Sequence, residues 1–229
     1  MDWTRWEHQW YERSAQHLTS HLLLALDMHN FIEQVATDDQ IVNVEMTEAR
    51  KLERNLLRRL GEEYRAVDML ATNGHGFQAM STCATLFEVA HTLGYVANNE
   101  GAATEWFTSN NRERLPWGIR KLVDRNGKRL GWDETRRDEE YGRYGFLCGF
   151  KHHNPVFSRI LNLPIDADLY GAQFALAEGA NLGLAAVSLV AMVRFNAETL
   201  GATLQITNSL FARTGPLMPR IDQILPPDN

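Results

Sequence analysis

The sequence is poor in cysteine and proline, and each shortage excludes a class of structure. The chain of 229 residues has only two cysteines, too few for a disulfide framework or a multi-cysteine zinc site. The seven prolines lie in the middle and at the end of the chain, which leaves long stretches without a helix breaker. No unbroken apolar run reaches the roughly 18 residues that span a bilayer, and the N-terminus does not resemble a signal peptide. We therefore expect a cytoplasmic protein without a membrane segment.

Helical periodicity runs through most of the chain, and no segment alternates apolar and polar residues as a half-buried strand does. From Leu182 to Val193 only Ser188 is polar, which is typical of a helix contacted on several sides. The sequence thus predicts one all-α domain over 1–213 and a proline-rich tail over 214–229. The domain is expected to be a bundle of five or more helices, with a central apolar helix near 168–200. The other main helices are predicted over 2–36, 41–71, 76–97, 133–152 and 203–213.

The most unusual block is YGRYGFLCGFKHHNP, which begins at Tyr141. On a helix, Tyr141, Cys148 and His152 fall within about 20° of one line. Glycine inside a helix costs about 1 kcal/mol relative to alanine, so Gly145 predicts the close approach of another backbone. A helix C-terminus favours an imidazolium, so His152 or His153 would suit a general acid or a phosphate contact. A packed interface with a capping histidine is the alternative.

A family resemblance appears in the same block. The pattern Tyr-x-x-Leu-Cys-x-x-x-His-x-Asn-Pro, from Tyr144 to Pro155, and the segment ATLFEVAH, which ends at His91, together resemble a group of uncharacterised bacterial all-helical proteins. That group is distantly similar to the HEPN superfamily, which includes RNA-cleaving toxins and antiphage effectors. The resemblance implies an RNA-directed protein of defence or toxin type. HEPN nucleases place an arginine four to six residues before a histidine, whereas Arg143 lies nine positions before His152, half a turn out of phase.

If the protein is an enzyme, the resemblance implies a metal-independent endoribonuclease. Glu88 lies within a core pattern, and because a buried carboxylate needs a partner, we expect Arg143 or a histidine to provide one. A purely structural ion pair is the alternative for Glu88. The candidate catalytic residues are Glu88, Tyr141, Arg143, His152, His153 and Asn154.

The charge is unevenly distributed along the chain. Residues 112–129 have seven basic and two acidic side chains, a net charge of +5, whereas the remainder has 16 basic and 27 acidic side chains, a net charge of −11. A basic segment on an acidic body suits contact with a polyanion such as RNA, and Trp117 and Trp132 nearby could stack on bases. We expect a less regular backbone here, in which Pro116 could start a short helix and Asn126-Gly127 signals a turn. A solvated loop is the alternative to contact with RNA. The candidate RNA-binding residues are Arg112, Arg114, Arg120, Lys121, Arg125, Lys128 and Arg129.

Two further functions stay open. The aromatic stripe Trp3, Trp6 and Trp10 favours a non-enzymatic interaction protein that forms a homo-oligomer or binds a helical partner. A mononuclear metal site is the other alternative, because two histidines spaced i,i+4 can bind one ion. Its ligands would be His17, His21 and His91, with His152 as a fourth. We expect no cofactor for the RNA-directed protein or for the interaction protein.

Overall fold

The computed structural model describes residues 2–109, 115–152 and 165–219, and every regular element in these ranges is an α-helix. The all-α bundle is therefore confirmed. The helices are α1 (Trp3–His17), α2 (Thr19–Thr37), α3 (Asp39–Val42), α4 (Glu48–Thr72), α5 (Gly76–Val96), α6 (Glu100–Thr108), α7 (Ile119–Arg129), α8 (Glu134–Lys151), α9 (Ile165–Arg194) and α10 (Ala197–Leu217).

The central apolar helix is α9, which contacts α1, α2, α4, α5 and α10. Leu184, Val187 and Val190 are fully buried along its length, so the core surrounds it as the sequence predicts. By length and composition α9 could also cross a membrane, a property that membrane spans share with buried core helices. Of its most apolar window, 72% is buried inside the protein. The expected absence of a membrane segment stays a prediction.

Several predicted helix boundaries are wrong, and local capping explains the largest error. The predicted helix over 168–200 ends at Arg194, because the Asn196 side chain accepts the Thr199 amide and so begins α10. That last helix runs to Leu217, past the predicted end at residue 213. The predicted helix over 2–36 is divided at Leu18, whose φ of −101° departs from the helical value of about −63°.

Residues 119–129 form a regular helix that continues through Asn126, where the sequence predicts a turn. The Asn126–Gly127 pair is a turn signal in isolation. Here Asn126 is buried inside α7, and its side-chain amide donates to the His91 carbonyl at 2.8 Å. Packing against α5 therefore overrides the local preference for a turn.

Two helices approach each other closely at the beginning of α5, where Gly76 meets α9. A Cβ atom on Gly76 would lie 1.9 Å from the Asp168 carbonyl oxygen and 2.6 Å from the Ala172 nitrogen. Asp168 Oδ1 also accepts the Phe77 amide at 3.1 Å, so a carboxylate on α9 caps the N-terminus of α5. Gly145, which we expected to admit a neighbour, has no described atom within 4 Å of such a Cβ. Among the described residues, the close approach expected at Gly145 is not present.

Asp168 makes the stability pH-dependent in a defined direction. Burial raises its pKa from 3.8 to about 6, against the hydrogen bonds from Phe77 and Gly76. In the unfolded chain the carboxyl group keeps its ordinary pKa, so the folded state binds more protons between these values and loses stability as the pH rises. Asparagine at position 168 does not titrate, so the comparison isolates this effect. We expect the free energy of unfolding of Asp168→Asn minus that of the unmodified protein to be larger at pH 7 than at pH 4, by up to roughly 2 kcal/mol. Urea unfolding at both pH values measures this, and a difference independent of pH would contradict it.

Candidate functional site

The polar side chains singled out by sequence lie along the contact between α5 and α8. His91 pairs with Glu140, Glu88 with Tyr144, and farther along Phe77 stacks on Phe150 with ring centres 6.0 Å apart. Because residue numbers fall on α5 as they rise on α8, the two helices are antiparallel. Two polar clusters lie at different positions along this contact, one of them buried and the other half-exposed.

The buried network joins α5, α8 and α9 through Arg143. Its Nη1 lies 3.3 Å from Glu178 Oε1, and its Nη2 lies 3.2 Å from Glu140 Oε2. Glu140 Oε1 is in turn 3.2 Å from His91 Nε2. Glu178 and Glu140 are only 2% and 5% exposed. One guanidinium therefore balances two buried carboxylates, and a histidine closes the chain of contacts.

The charges of the buried network follow from this geometry. Burial raises the pKa of Glu178, and the neighbouring Arg143 opposes that rise only in part. Burial also acts on Glu140, yet the hydrogen bond to His91 and the charge of Arg143 lower its pKa overall. The pKa of Arg143 is raised despite its burial, because both carboxylates favour the charged guanidinium. The arrangement has the features of a structural ion cluster, in which both carboxylates contact one guanidinium.

The half-exposed group, which we call the Glu88 cluster, comprises Glu88, Tyr144 and Lys151. The Tyr144 hydroxyl donates to Glu88 Oε1 at 2.7 Å, and Lys151 Nζ lies 3.3 Å from the same oxygen. Burial and this hydrogen bond raise the pKa of Tyr144. The expected partner of Glu88, Arg143 or a histidine, is wrong. Arg143 is about 100° around α8 from Tyr144 and therefore faces α9 instead.

The described members of the predicted catalytic set, Glu88, Tyr141, Arg143 and His152, do not meet in one pocket. Tyr141 is exposed and lies beneath the Arg120 guanidinium, which is 5.4 Å from the ring centre. His152 is exposed at the C-terminal cap of α8. Arg143 belongs to the buried network and Glu88 to the cluster named after it. His153 and Asn154 lie outside the described residues.

Sequence reasoning missed Glu140 and Glu178, the two acids of the buried network. Glu178 lies in a run of buried residues on α9, so an acid within an apolar segment was the available signal. Glu140 precedes Arg143 by three positions, the spacing of a helical ion pair. Neither pattern shows that both acids share one arginine, because that depends on how α8 is rotated against its neighbours.

On α7, two of the predicted RNA-binding residues have structural partners. Arg120 contacts both Asp124 and Asp138, at 3.1 and 2.6 Å. Arg129 Nη1 donates to the Gly94 carbonyl at 2.7 Å and so satisfies the C-terminal turn of α5. Arg112 and Arg114 lie outside the described residues.

The remaining three cations form what we call the cationic stripe: Lys121, Arg125 and Lys128. They are exposed at i, i+4 and i+7 on one face of α7, and none has an acidic partner in the described ranges. Lys121 Nζ lies 5.6 Å from the ring centre of Tyr95, at the distance of a cation–π contact. Beside the stripe is a cleft of about 560 Å³, lined by Tyr95, Ala97, Asn98, Asn99, Arg125, Lys128 and Arg129.

The tryptophans near the basic segment do not offer free faces for base stacking. Trp117 is 3% exposed, and its ring centre lies 4.7 Å from that of Tyr95 and 5.9 Å from that of Trp106. Trp132 is half-buried, with the Arg136 guanidinium 5.7 Å from its ring centre. Stacking on Trp117 is therefore a wrong expectation, because its ring belongs to the core.

The histidines proposed as metal ligands are dispersed. His17 is exposed, His21 Nε2 bonds to the Leu217 carbonyl at 2.8 Å, and His91 belongs to the buried network. Burial lowers the pKa of His21. In residues 2–109, 115–152 and 165–219, no three histidine, cysteine or acidic side chains are grouped so that they could hold a metal ion. In these residues the histidines therefore do not come together as a mononuclear metal site requires.

The aromatic stripe of α1 is turned partly toward the protein's own core. Trp10 is 5% exposed, and its Nε1 donates to the Thr72 carbonyl at 2.9 Å. Trp6 is half-buried, and the side chain of Trp3 is outside the described part. Trp10 therefore fastens α1 to the end of α4 and is not available to a partner.

Comparison with known proteins adds no relative. No protein-family model matches the chain, and neither a curated protein nor a solved structure matches it. The HEPN-like resemblance therefore stays a prediction.

Proposed function

We propose that this is an RNA-directed protein that contacts the phosphate backbone through the cationic stripe. The observation that carries the proposal is that Lys121, Arg125 and Lys128 share one exposed face without an acidic partner in the described chain. Other cations of α7 already stabilise the fold, Arg120 through two acids and Arg129 through carbonyl groups. In a chain of net charge −6, three cations in line without an acidic partner in the described residues favour an anionic ligand.

The spacing of the stripe suits a polyanion. Lys121 and Lys128 are about 10 Å apart along the helix, with Arg125 between them. The cleft beside the stripe adds Asn98, whose Oδ1 is held by Arg194 at 3.1 Å and whose amide N–H groups can donate to phosphate or ribose oxygens. RNA is favoured over other polyanions by the resemblance described above. We also propose that the protein is located in the cytoplasm.

Binding of labelled single-stranded RNA, followed by fluorescence anisotropy, tests the proposal. An oligomer of about 20 nucleotides exceeds the roughly 4–16 nucleotides that single-strand-binding domains cover. We expect Lys121→Gln/Arg125→Gln/Lys128→Gln to weaken binding about tenfold or more at physiological salt, because three phosphate contacts are lost.

The matched control removes the same charge from another helix. Arg54, Arg58 and Arg65 are exposed on α4. Their triple replacement by glutamine should change the affinity by less than about twofold, because exposed charges away from the ligand contribute little. Equal weakening in both triple variants, or in neither, would contradict the assignment to the stripe. Equal affinity for DNA of the same sequence would contradict an RNA-directed function.

Metal-independent cleavage of RNA is a second candidate, favoured by the Glu88 cluster. Its carboxylate, phenol and ammonium groups are partly exposed, and Lys151 directly precedes the exposed His152 in the chain. We expect Glu88→Gln and His152→Ala to abolish cleavage in the presence of a chelator while RNA binding is retained. Cleavage that persists when His152 and His153 are both replaced by alanine would contradict this candidate, as would an inactive unmodified protein that binds RNA.

A further inference from the structure

A pocket bounded by α8, α9 and the end of α10 shares no residue with the cationic stripe. Its volume of about 490 Å³ is within the roughly 300–1,000 Å³ of small-molecule sites in proteins. The lining residues recur every three or four positions on α8, from Glu139 to Phe146, and on α9, from Phe174 to Asn181. Each of these two helices therefore turns one face toward the pocket.

The walls of the pocket are mainly apolar. Phe146 and Phe174 meet edge to face, with ring centres 5.6 Å apart and an angle of 68° between the ring planes. Met218 and Pro219, at the end of α10, complete the apolar lining. Apolar walls with a few polar groups are typical of a site for a small organic molecule.

Gly142 leaves the wall of the pocket open on α8. It lies inside this helix, where glycine is less stable than alanine. A Cβ atom at Gly142 would have no described atom within 4 Å, so among the described residues no close neighbour requires glycine here. Because Gly142 lines the pocket, a side chain at this position would occupy space that a ligand can use.

The charged groups of the pocket have an excess of negative charge. Glu178 is the most deeply buried of them, with a side chain that is 2% exposed, compared with 29% for Arg143 and 61% for Glu139. Arg143 is shared between Glu178 and Glu140, and Glu139 pairs with Arg136. Three acids and two arginines leave a net charge of −1, with histidine counted as neutral. Arg143 offsets the burial of Glu178 only in part, so the pKa of this carboxyl group stays raised.

We propose that this pocket binds a small organic cation, an amine that carries an aromatic or similarly apolar group. The ammonium group would approach Glu178, where the negative charge is incompletely balanced, and the apolar group would pack against Phe146, Phe174 and Met218. Aromatic rings also attract a cation through their π-electrons. An anion is disfavoured, because Arg143, the one cation of the described lining, already contacts two carboxylates.

Isothermal titration calorimetry of the full chain at neutral pH tests the proposal with three probes. Phenylethylamine, phenylethanol and phenylpropionate have the same aromatic ring, and their polar groups are cationic, neutral and anionic at this pH. We expect the amine to bind about tenfold or more tightly than the alcohol, because a charge-assisted hydrogen bond is stronger than a neutral one. The acid should bind more weakly than both.

Two glycine variants of α8 locate the site. Gly142→Met should weaken binding of the amine about tenfold or more, because the added side chain fills the pocket. Its thermal unfolding midpoint should be no lower than that of the unmodified protein, since methionine favours a helix more than glycine does. The control is Gly145→Met, at an exposed position of the same helix that does not line the pocket. It should keep the original affinity.

Glu178→Gln tests the charge of the ligand. This variant should bind the amine about as tightly as the alcohol, while its unchanged affinity for the alcohol shows that the pocket is intact. Absence of saturable binding of the amine to the unmodified protein would overturn the proposal, as would an acid that binds as tightly as the amine. Equal affinity of Gly142→Met and Gly145→Met for the amine would also overturn it.

Discussion

Replacing Arg143 by leucine should lower the free energy of unfolding by about 3–5 kcal/mol. The guanidinium lies between Glu140 and Glu178, within 3.3 Å of an oxygen of each. Without it, the two buried carboxylates lose the cation that lies between them, and His91 remains as a partner of Glu140 alone. Breaking a buried ion cluster costs more than the net contribution of its contacts, because the remaining charges stay desolvated.

Urea unfolding at neutral pH measures this loss, and Arg136→Leu is the matched control. Arg136 is on the same helix and pairs with Glu139 at 3.3 Å, but both side chains are more than half exposed. Its loss should cost about 1 kcal/mol or less. The penalty in Arg143→Leu should shrink in acid, because burial already raises the pKa of Glu178 and a neutral carboxyl group is cheaper to bury. A loss for Arg143→Leu no greater than that of the control would contradict the buried network.

Gly76→Ala should destabilise the protein by about 3 kcal/mol, the upper end of typical overpacking costs. The added methyl group would overlap the backbone of α9 at Asp168 and Ala172, which no change of rotamer can relieve. The two helices would have to separate where α9 caps α5. Circular dichroism during chemical unfolding measures the change.

Gly145→Ala serves as the control for this prediction, with the opposite sign. Gly145 lies within α8 and is exposed, and a Cβ there would contact none of the described atoms. Alanine should therefore stabilise the protein by about 1 kcal/mol through its helix propensity alone. Equal effects at the two glycines would show that α5 and α9 do not cross at Gly76.

Local chemistry explains why some elements follow from the sequence and others do not. The predicted beginning of α8 is confirmed, because the Asp133 side chain accepts the Arg136 amide and so caps the helix from within its own segment. The turn predicted at Asn126 is wrong and α7 continues through it, because the Asn126 amide donates to the carbonyl of His91, 35 positions away in sequence. A partner at that distance overrides a turn signal that is read locally.

The same limit applies to the candidate site. The need of Glu88 for a partner follows from burial, and the structure provides Tyr144 and Lys151. The sequence does not identify Tyr144 and Lys151, rather than Arg143, as these partners. Their identity depends on how α8 is rotated against α5, and helical periodicity does not determine that rotation. Similarly, the excess of positive charge on 112–129 is visible in the sequence. The sequence does not show which of these cations have structural partners. Arg120 pairs with Asp138, and Arg129 donates to a carbonyl group at the end of α5.

The salt dependence of RNA binding tests the central claim most directly, because it counts phosphate contacts. On single strands each neutralised phosphate contributes about 0.7 to the slope of log K against log salt concentration, so the three cations of the stripe should contribute about 2. We predict that Lys121→Gln/Arg125→Gln/Lys128→Gln has a slope shallower by about 2 than the unmodified protein, whereas Arg54→Gln/Arg58→Gln/Arg65→Gln keeps the original slope. The same slope for the stripe variant and the unmodified protein would contradict an RNA contact on α7.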